Sequence, residues 1–174
     1  SLKEGWENIN KAALWKMTSN FAGICLVKKN LVLLSKRIKT FKNKPVPLGG
    51  YWSPFAGSIE KNESPKECAI RELKEESGFS INSKNVFFQK KITNKSKKTN
   101  FYFYIGLLND FPEINLNFEH TEFGIFKIKY LDTISPIDPK VCKCLKKYYR
   151  HALSNKTWQN LLRYGSSLEP TIKS

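Results

Sequence analysis

Apolar positions along the chain follow two different periods. From Phe21 to Lys28 (FAGICLVK) and from Leu31 to Ser35 (LVLLS) they are almost uninterrupted, which predicts two buried strands joined by a tight turn at Lys29-Asn30. Asn85–Thr93 and Thr99–Leu108 predict a second hairpin around the polar turn Asn94–Lys98. In its second strand Phe101, Phe103 and Ile105 alternate with Tyr102 and Tyr104, so one face is expected to be core. A loop from Asp110 to Phe118 then leads toward a strand at Phe123–Lys129. Besides the stretch Gly57–Phe79, helices are expected at three places. Trp6, Ile9, Ala13, Leu14 and Met17 share a face over about 6–17. Val141, Leu145, Tyr148 and Ala152 share one over about Lys140–Leu153, opened by Asp138-Pro139. A shorter helix is expected at Trp158–Tyr164, so the C-terminal helices span about 140–164. Pro45, Pro47 and Gly49-Gly50 make Ile38–Gly50 a loop.

The stretch Gly57–Phe79 (GSIEKNESPKECAIRELKEESGF) carries the clearest local signals. Ser64 as N-cap, Pro65 at the first helical position and Glu67 three after the cap start a helix, and Gly78 stops it. Ala69, Leu73 and Ile70 face a core. Glu72, Glu75 and Glu76 sit at i, i+3 and i+4, so their carboxylates share a face and repel one another. Two readings are open from these residues. The face is simply solvated, or a hard divalent cation such as Mg²⁺ resolves the repulsion with carboxylate, water and phosphate oxygens around it. Arg71 can pair with one of the carboxylates and orient it.

A resemblance to a known family favours the second. Gly57, five residues, Glu63, seven residues, Arg71-Glu72-Leu73, one residue, Glu75-Glu76, one residue, Gly78-Phe79 resembles the Nudix hydrolase signature GX5EX7REUXEEXGU at every fixed position. Phe79 in the last bulky aliphatic slot is a mild departure. The resemblance implies an α/β fold, a Nudix-type α/β/α sandwich with a mixed central sheet and flanking helices. It also implies a hydrolase that cleaves the pyrophosphate linkage of a nucleoside diphosphate derivative with Mg²⁺, for which Mn²⁺ can substitute. By the same resemblance Arg71, Glu72, Glu75 and Glu76 are catalytic, and Glu72, Glu75 and Glu76 bind metal. The main-chain oxygen of Ala56, in Phe55-Ala56-Gly57 where the family commonly has Pro-Gly-Gly, joins them. Gly57, Glu63 and Gly78 shape the loop and helix. Many family members add an acid just before a later strand. Glu122 matches that position best and Glu119 second, while His120 and His151 are expected to be ordinary.

Composition adds limits. At 174 residues and 40% hydrophobic the chain is expected to form a single domain, 1–174, with a proper core. No apolar run reaches the ~20 residues of a membrane span, and no signal-peptide pattern opens the chain. The four cysteines lack metal-ligand spacing, which fits reduced thiols and a cytoplasmic protein, monomeric or homodimeric. The net charge is +15, although six of the fifteen acids lie between Glu60 and Glu76. Basic clusters at Lys36–Lys44, Lys90–Lys98 and Lys140–Arg150 fit either solvated surface or attraction of a polyanion such as RNA.

The substrate stays open. A nucleotide is expected, most simply a nucleoside triphosphate, with Tyr51, Trp52 and Tyr102 as candidate base-stacking groups. The alternatives are an RNA 5′-end pyrophosphohydrolase, or a non-catalytic binding module, against which the complete carboxylate set speaks. An isomerase of the same fold is disfavoured because its Cys and His groups are not recognisable. Within the family, ADP-ribose hydrolases tend to carry a proline about fifteen residues past the box. This chain has none between Pro65 and Pro112.

Overall fold

A computed structural model describes residues 19–154. In chain order the elements are β1 (Ser19–Lys28), β2 (Leu31–Arg37), β3 (Thr40–Phe41), β4 (Lys44–Pro45), β5 (Trp52–Ser53), β6 (Phe55–Ser58), α1 (Pro65–Ser77), β7 (Val86–Asn94), β8 (Thr99–Leu107), β9 (His120–Lys127) and α2 (Pro139–Ser154). The helices expected at about 6–17 and at Trp158–Tyr164 lie outside the described residues.

The main sheet runs β5-β2-β1-β8-β7, with β6 also pairing β1 and β9 pairing β2. β1 and β8 are parallel, from Ser19 opposite Thr99 to Val27 opposite Leu107. The other pairs are antiparallel, so the sheet is mixed. Helices cover both faces. Ala22, Ile24, Leu26, Leu33, Phe55 and Leu73 of α1 form one core. Cys25, Val27, Val32, Leu34, Phe103, Ile105 and the α2 residues Val141, Leu145 and Tyr148 form the other. β1 thus sends alternate side chains into two different cores. A strand buried on both faces needs apolar residues throughout, which is why FAGICLV shows no alternation. The arrangement is the α/β/α sandwich with a mixed sheet.

Helix α1 has the expected ends. Ser64 Oγ accepts from the Glu67 amide at 3.1 Å, a cap worth about 1 kcal/mol. Gly78 takes the left-handed conformation at φ 77° and its amide reaches the Lys74 carbonyl. Two further carbonyls at this end are satisfied from a distant segment. The Asn115 amide donates to Ser77 O at 2.8 Å and the Asn117 amide to Glu76 O at 3.0 Å. The loop before β9 is thereby docked on the end of α1.

Two expectations change. The segment Ile38–Gly50 contains a small hairpin, β3–β4, whose turn residues Lys42 and Asn43 both have positive φ (51° and 64°). That is the primed turn that matches strand twist. The last strand begins at His120, three residues earlier than Phe123, because β2 continues to Arg37 and pairs it with His120.

Candidate active site

Three elements meet at the site: the end of β6, one face of α1 and the start of β9. Glu63, Arg71, Glu72 and Glu75 form one hydrogen-bonded group. Arg71 Nε and Nη2 donate to the two oxygens of Glu63 at 2.7 and 3.0 Å, a fork matched to a carboxylate. Nη2 also donates to the Ser58 carbonyl at 3.0 Å. Nη1 donates to Glu72 at 2.9 Å and to Glu75 at 3.2 and 3.3 Å. The Arg71 hydrogen bond holds the Glu63 carboxyl down at about 2. Glu63 also accepts from the Glu60 amide at 3.0 Å, so the guanidinium ties the loop after β6 to the helix.

Glu72 and Glu76 are buried, whereas Glu75 is exposed at the rim. Burial raises the Glu72 carboxyl above its ordinary value, against the lowering effects of its Glu76 and Arg71 partners. Glu76 is pushed up to about 10, first by burial and then by the charges of Glu72 and Glu119. Its Oε1 lies 2.5 Å from His120 Nε2. Among the described residues no donor reaches its Oε2.

His120 is buried and pushed down to about 4, by burial first and then by the Arg37 charge, so it is neutral at neutral pH. Its Nδ1 sits 2.8 Å from Ser35 Oγ, and the Phe55 ring packs edge-on against it at 5.3 Å. With Glu76 ionised, Nε2 carries the ring proton and donates to Glu76, and Nδ1 accepts from the Ser35 hydroxyl. Ligand atoms of Glu76, Glu119 and His120 all lie within 4.8 Å of one another.

A buried carboxylate oxygen without a donor, beside two further carboxylates, is an oxygen-rich donor set. It suits a hard divalent cation, which prefers oxygen ligands.

Glu122 stands apart from this group. It faces Lys36 across the β2–β9 ladder, with 3.7 Å between the charged atoms. The residue immediately before the strand is Glu119, because the strand starts at His120. Glu119 is the acid whose ligand atom lies within 4.8 Å of those of Glu76 and His120. The partners of His120 were also missed in the sequence, since Ser35 and Glu76 are 85 and 44 residues away along the chain.

Ala56 and Gly57 lie on β6 opposite Gly23 and Ala22 of β1. A Cβ on Gly57 would stand 2.1 Å from Glu72 Oε1. Glycine here leaves the space that the Glu72 carboxylate occupies. Gly57→Ala should displace that carboxylate and, under the catalytic role proposed below, lower turnover by roughly tenfold or more, since a small misplacement in a catalytic set carries such a cost. Thermal melting should change little, and kinetics with melting curves check both parts.

The three expected stacking residues go to different places. Trp52 packs edge-on against Phe126 at 5.0 Å, on the α2-side core. Tyr102 packs on the α1-side core with Lys91 over its ring. Tyr51 lines an open groove of about 680 Å³ with Pro136, Ile137, Lys143, Lys146 and Arg150. None of the acids Glu72, Glu76 or Glu119 lines that groove.

The chain belongs to the NUDIX domain family, whose profile matches residues 17–141. An 8-oxo-dGTP diphosphatase of Proteus vulgaris is 34% identical over 61 residues, which make up 34% of this chain and 49% of that protein. The chain thus spans about half the length of this curated relative. The MutT protein from Methanosarcina mazei Go1 superposes with a TM-score of 0.60 at 18% identity, over 78% of this chain and 94% of that one. The C. elegans Ap4A hydrolase gives 0.57 at 16% identity, over 78% and 99%. At these identities the solved structures establish the fold. No helix of the described residues is long and apolar enough to cross a membrane.

Proposed function

We propose that this Nudix protein hydrolyses the pyrophosphate linkage of a nucleotide, a nucleoside triphosphate or a related nucleoside diphosphate derivative, with a divalent cation, Mg²⁺ by preference. One observation carries the reading: the donorless, buried Glu76 Oε2 beside Glu72 and Glu119. The 8-oxo-dGTP diphosphatase relative is consistent with a nucleoside triphosphate substrate.

In this reading Glu72, Glu76 and Glu119 hold the cation, with Glu75 from the rim and the main-chain oxygen of Ala56. When bound, such a cation acidifies water and neutralises phosphate oxygens. The chain's own residues do the rest. Arg71 fixes the directions of Glu72 and Glu75 and ties down the loop through Glu63. With Glu76 ionised against the cation, His120, oriented by Ser35, would aim it by donating to its Oε1. Water adds to a phosphorus, one anhydride P–O bond breaks, and a site carboxylate receives the proton.

A panel of nucleoside triphosphates, dinucleoside polyphosphates and nucleotide sugars, assayed for Mg²⁺-dependent release of phosphate or pyrophosphate, tests the activity. No release from any of them overturns it. A second comparison tests the ligand set. Glu119→Gln should slow turnover by roughly tenfold or more through loss of a metal-directed carboxylate, and Glu122→Gln should stay near wild type. The reverse order would return the role to Glu122.

A further inference from the structure

Two exposed phenylalanines, one of them next to Glu119 in the chain, serve neither core. Phe41, on β3, is 46% exposed and Phe118, in the loop before β9, is 64% exposed. Neither belongs to the two core clusters. Their rings nevertheless meet, with centroids 5.4 Å apart and planes inclined by 30°.

The backbone ties this pair to the chemistry. Phe118 directly precedes Glu119, so their Cα atoms are about 3.8 Å apart. The Ile38 amide donates to the Glu119 carbonyl at 2.9 Å, which anchors the root of the β3–β4 hairpin to the same residue. The primed turn at Lys42-Asn43 fixes the hairpin, and Lys42 Nζ lies 5.3 Å over the Phe41 ring. A cation and two aromatic rings are thus carried on the backbone frame that holds Glu119. A nucleotide has matching parts: an anionic phosphate chain and a flat base with a π-face.

We propose that Phe41 and Phe118 form a stacking platform for the base of the substrate, and so set its specificity. The proposal rests on the nucleotide reading above. The platform meets the base in ground state and transition state alike, so its loss raises KM and leaves kcat alone. It favours purines, whose larger rings cover more of it.

The test uses the full chain and the best nucleotide substrate from the panel. Phe118→Ala and Phe41→Ala should each raise KM by roughly five- to a hundredfold, the range expected for base–aromatic stacking. kcat and melting temperature should stay unchanged, and Phe118→Trp should restore KM. Inhibition by purine nucleoside monophosphates should weaken more than inhibition by pyrimidine ones. Phe88→Ala is the control, since Phe88 is 55% exposed on β7 at the far edge of the sheet. KM values no higher than those of Phe88→Ala overturn the platform. So does a fall in kcat with unchanged KM, which would mean that the pair merely props Glu119. If the wild type turns over no nucleotide at all, the nucleotide reading falls and the platform falls with it. If only the variants fail to respond, the nucleotide reading stands.

Discussion

Glu76→Gln should lower Mg²⁺-dependent turnover by at least ~10²-fold, the scale of several kcal/mol of lost transition-state stabilisation. The substitution keeps the size of the side chain and an oxygen for the His120 Nε2 proton. It removes the charge that would meet the cation. Burial of a carboxylate is costly, as the upward displacement of Glu76 to about 10 records. Gln does not incur that cost, so the metal-free variant should melt no lower than wild type. A ligand that binds only the folded state raises the melting temperature. Added Mg²⁺ should therefore raise the wild-type melting point and leave that of Glu76→Gln almost unmoved. Near-wild-type turnover in a folded variant would remove Glu76 from the metal set.

Arg71→Lys should fold, keep its charge and still lose roughly ten- to a hundredfold in turnover, because an ammonium cannot reproduce a planar fork. In the wild type one guanidinium serves Glu63, Glu72, Glu75 and the Ser58 carbonyl together. A lysine can satisfy one or two of these. Arg71→Ala should be worse for the fold as well. It leaves the largely buried Glu63 and Glu72 carboxylates without their cation, and breaking such a pair costs on the order of 3 kcal/mol. Melting curves separate the two variants. If Arg71→Lys is fully active, the arginine is needed for its charge and not for the directions of its bonds.

The parts of this molecule that were legible in the sequence are those fixed locally. Ser64, Pro65 and Gly78 set the bounds of α1 through bonds within a few residues, and the bounds matched. The two-sided burial of β1 appeared as an unbroken apolar run. The start of β9 is set instead by β2. His-Thr-Glu has no apolar pattern, and the pairing of Lys36 with Glu122 and of Arg37 with His120 makes it strand. That shift leaves Glu119 as the residue just before the strand, with Glu122 inside it. It also placed His120, taken as ordinary, against Glu76. The β3–β4 hairpin was hidden for a similar reason. Lysine seldom adopts positive φ, so Lys42-Asn43 did not look like a primed turn. Among the aromatic residues, composition could not tell Trp52, held against a core, from Phe118, left at the rim.

The two amides of Asn115 and Asn117 on the end of α1 have a wider consequence for how this site can vary. Glu76 and Glu119 are brought together by short bonds at the two ends of a long excursion of chain, and the length of that excursion does not enter. β8 within it is fixed by the parallel pairing with β1, but the turn at Lys95–Lys98 touches neither end. Chain can therefore be inserted or removed at that tip without resetting the spacing of the acids. The protein keeps the β7–β8 tip open to evolutionary change, because none of the bonds that bring Glu76 and Glu119 together runs through it.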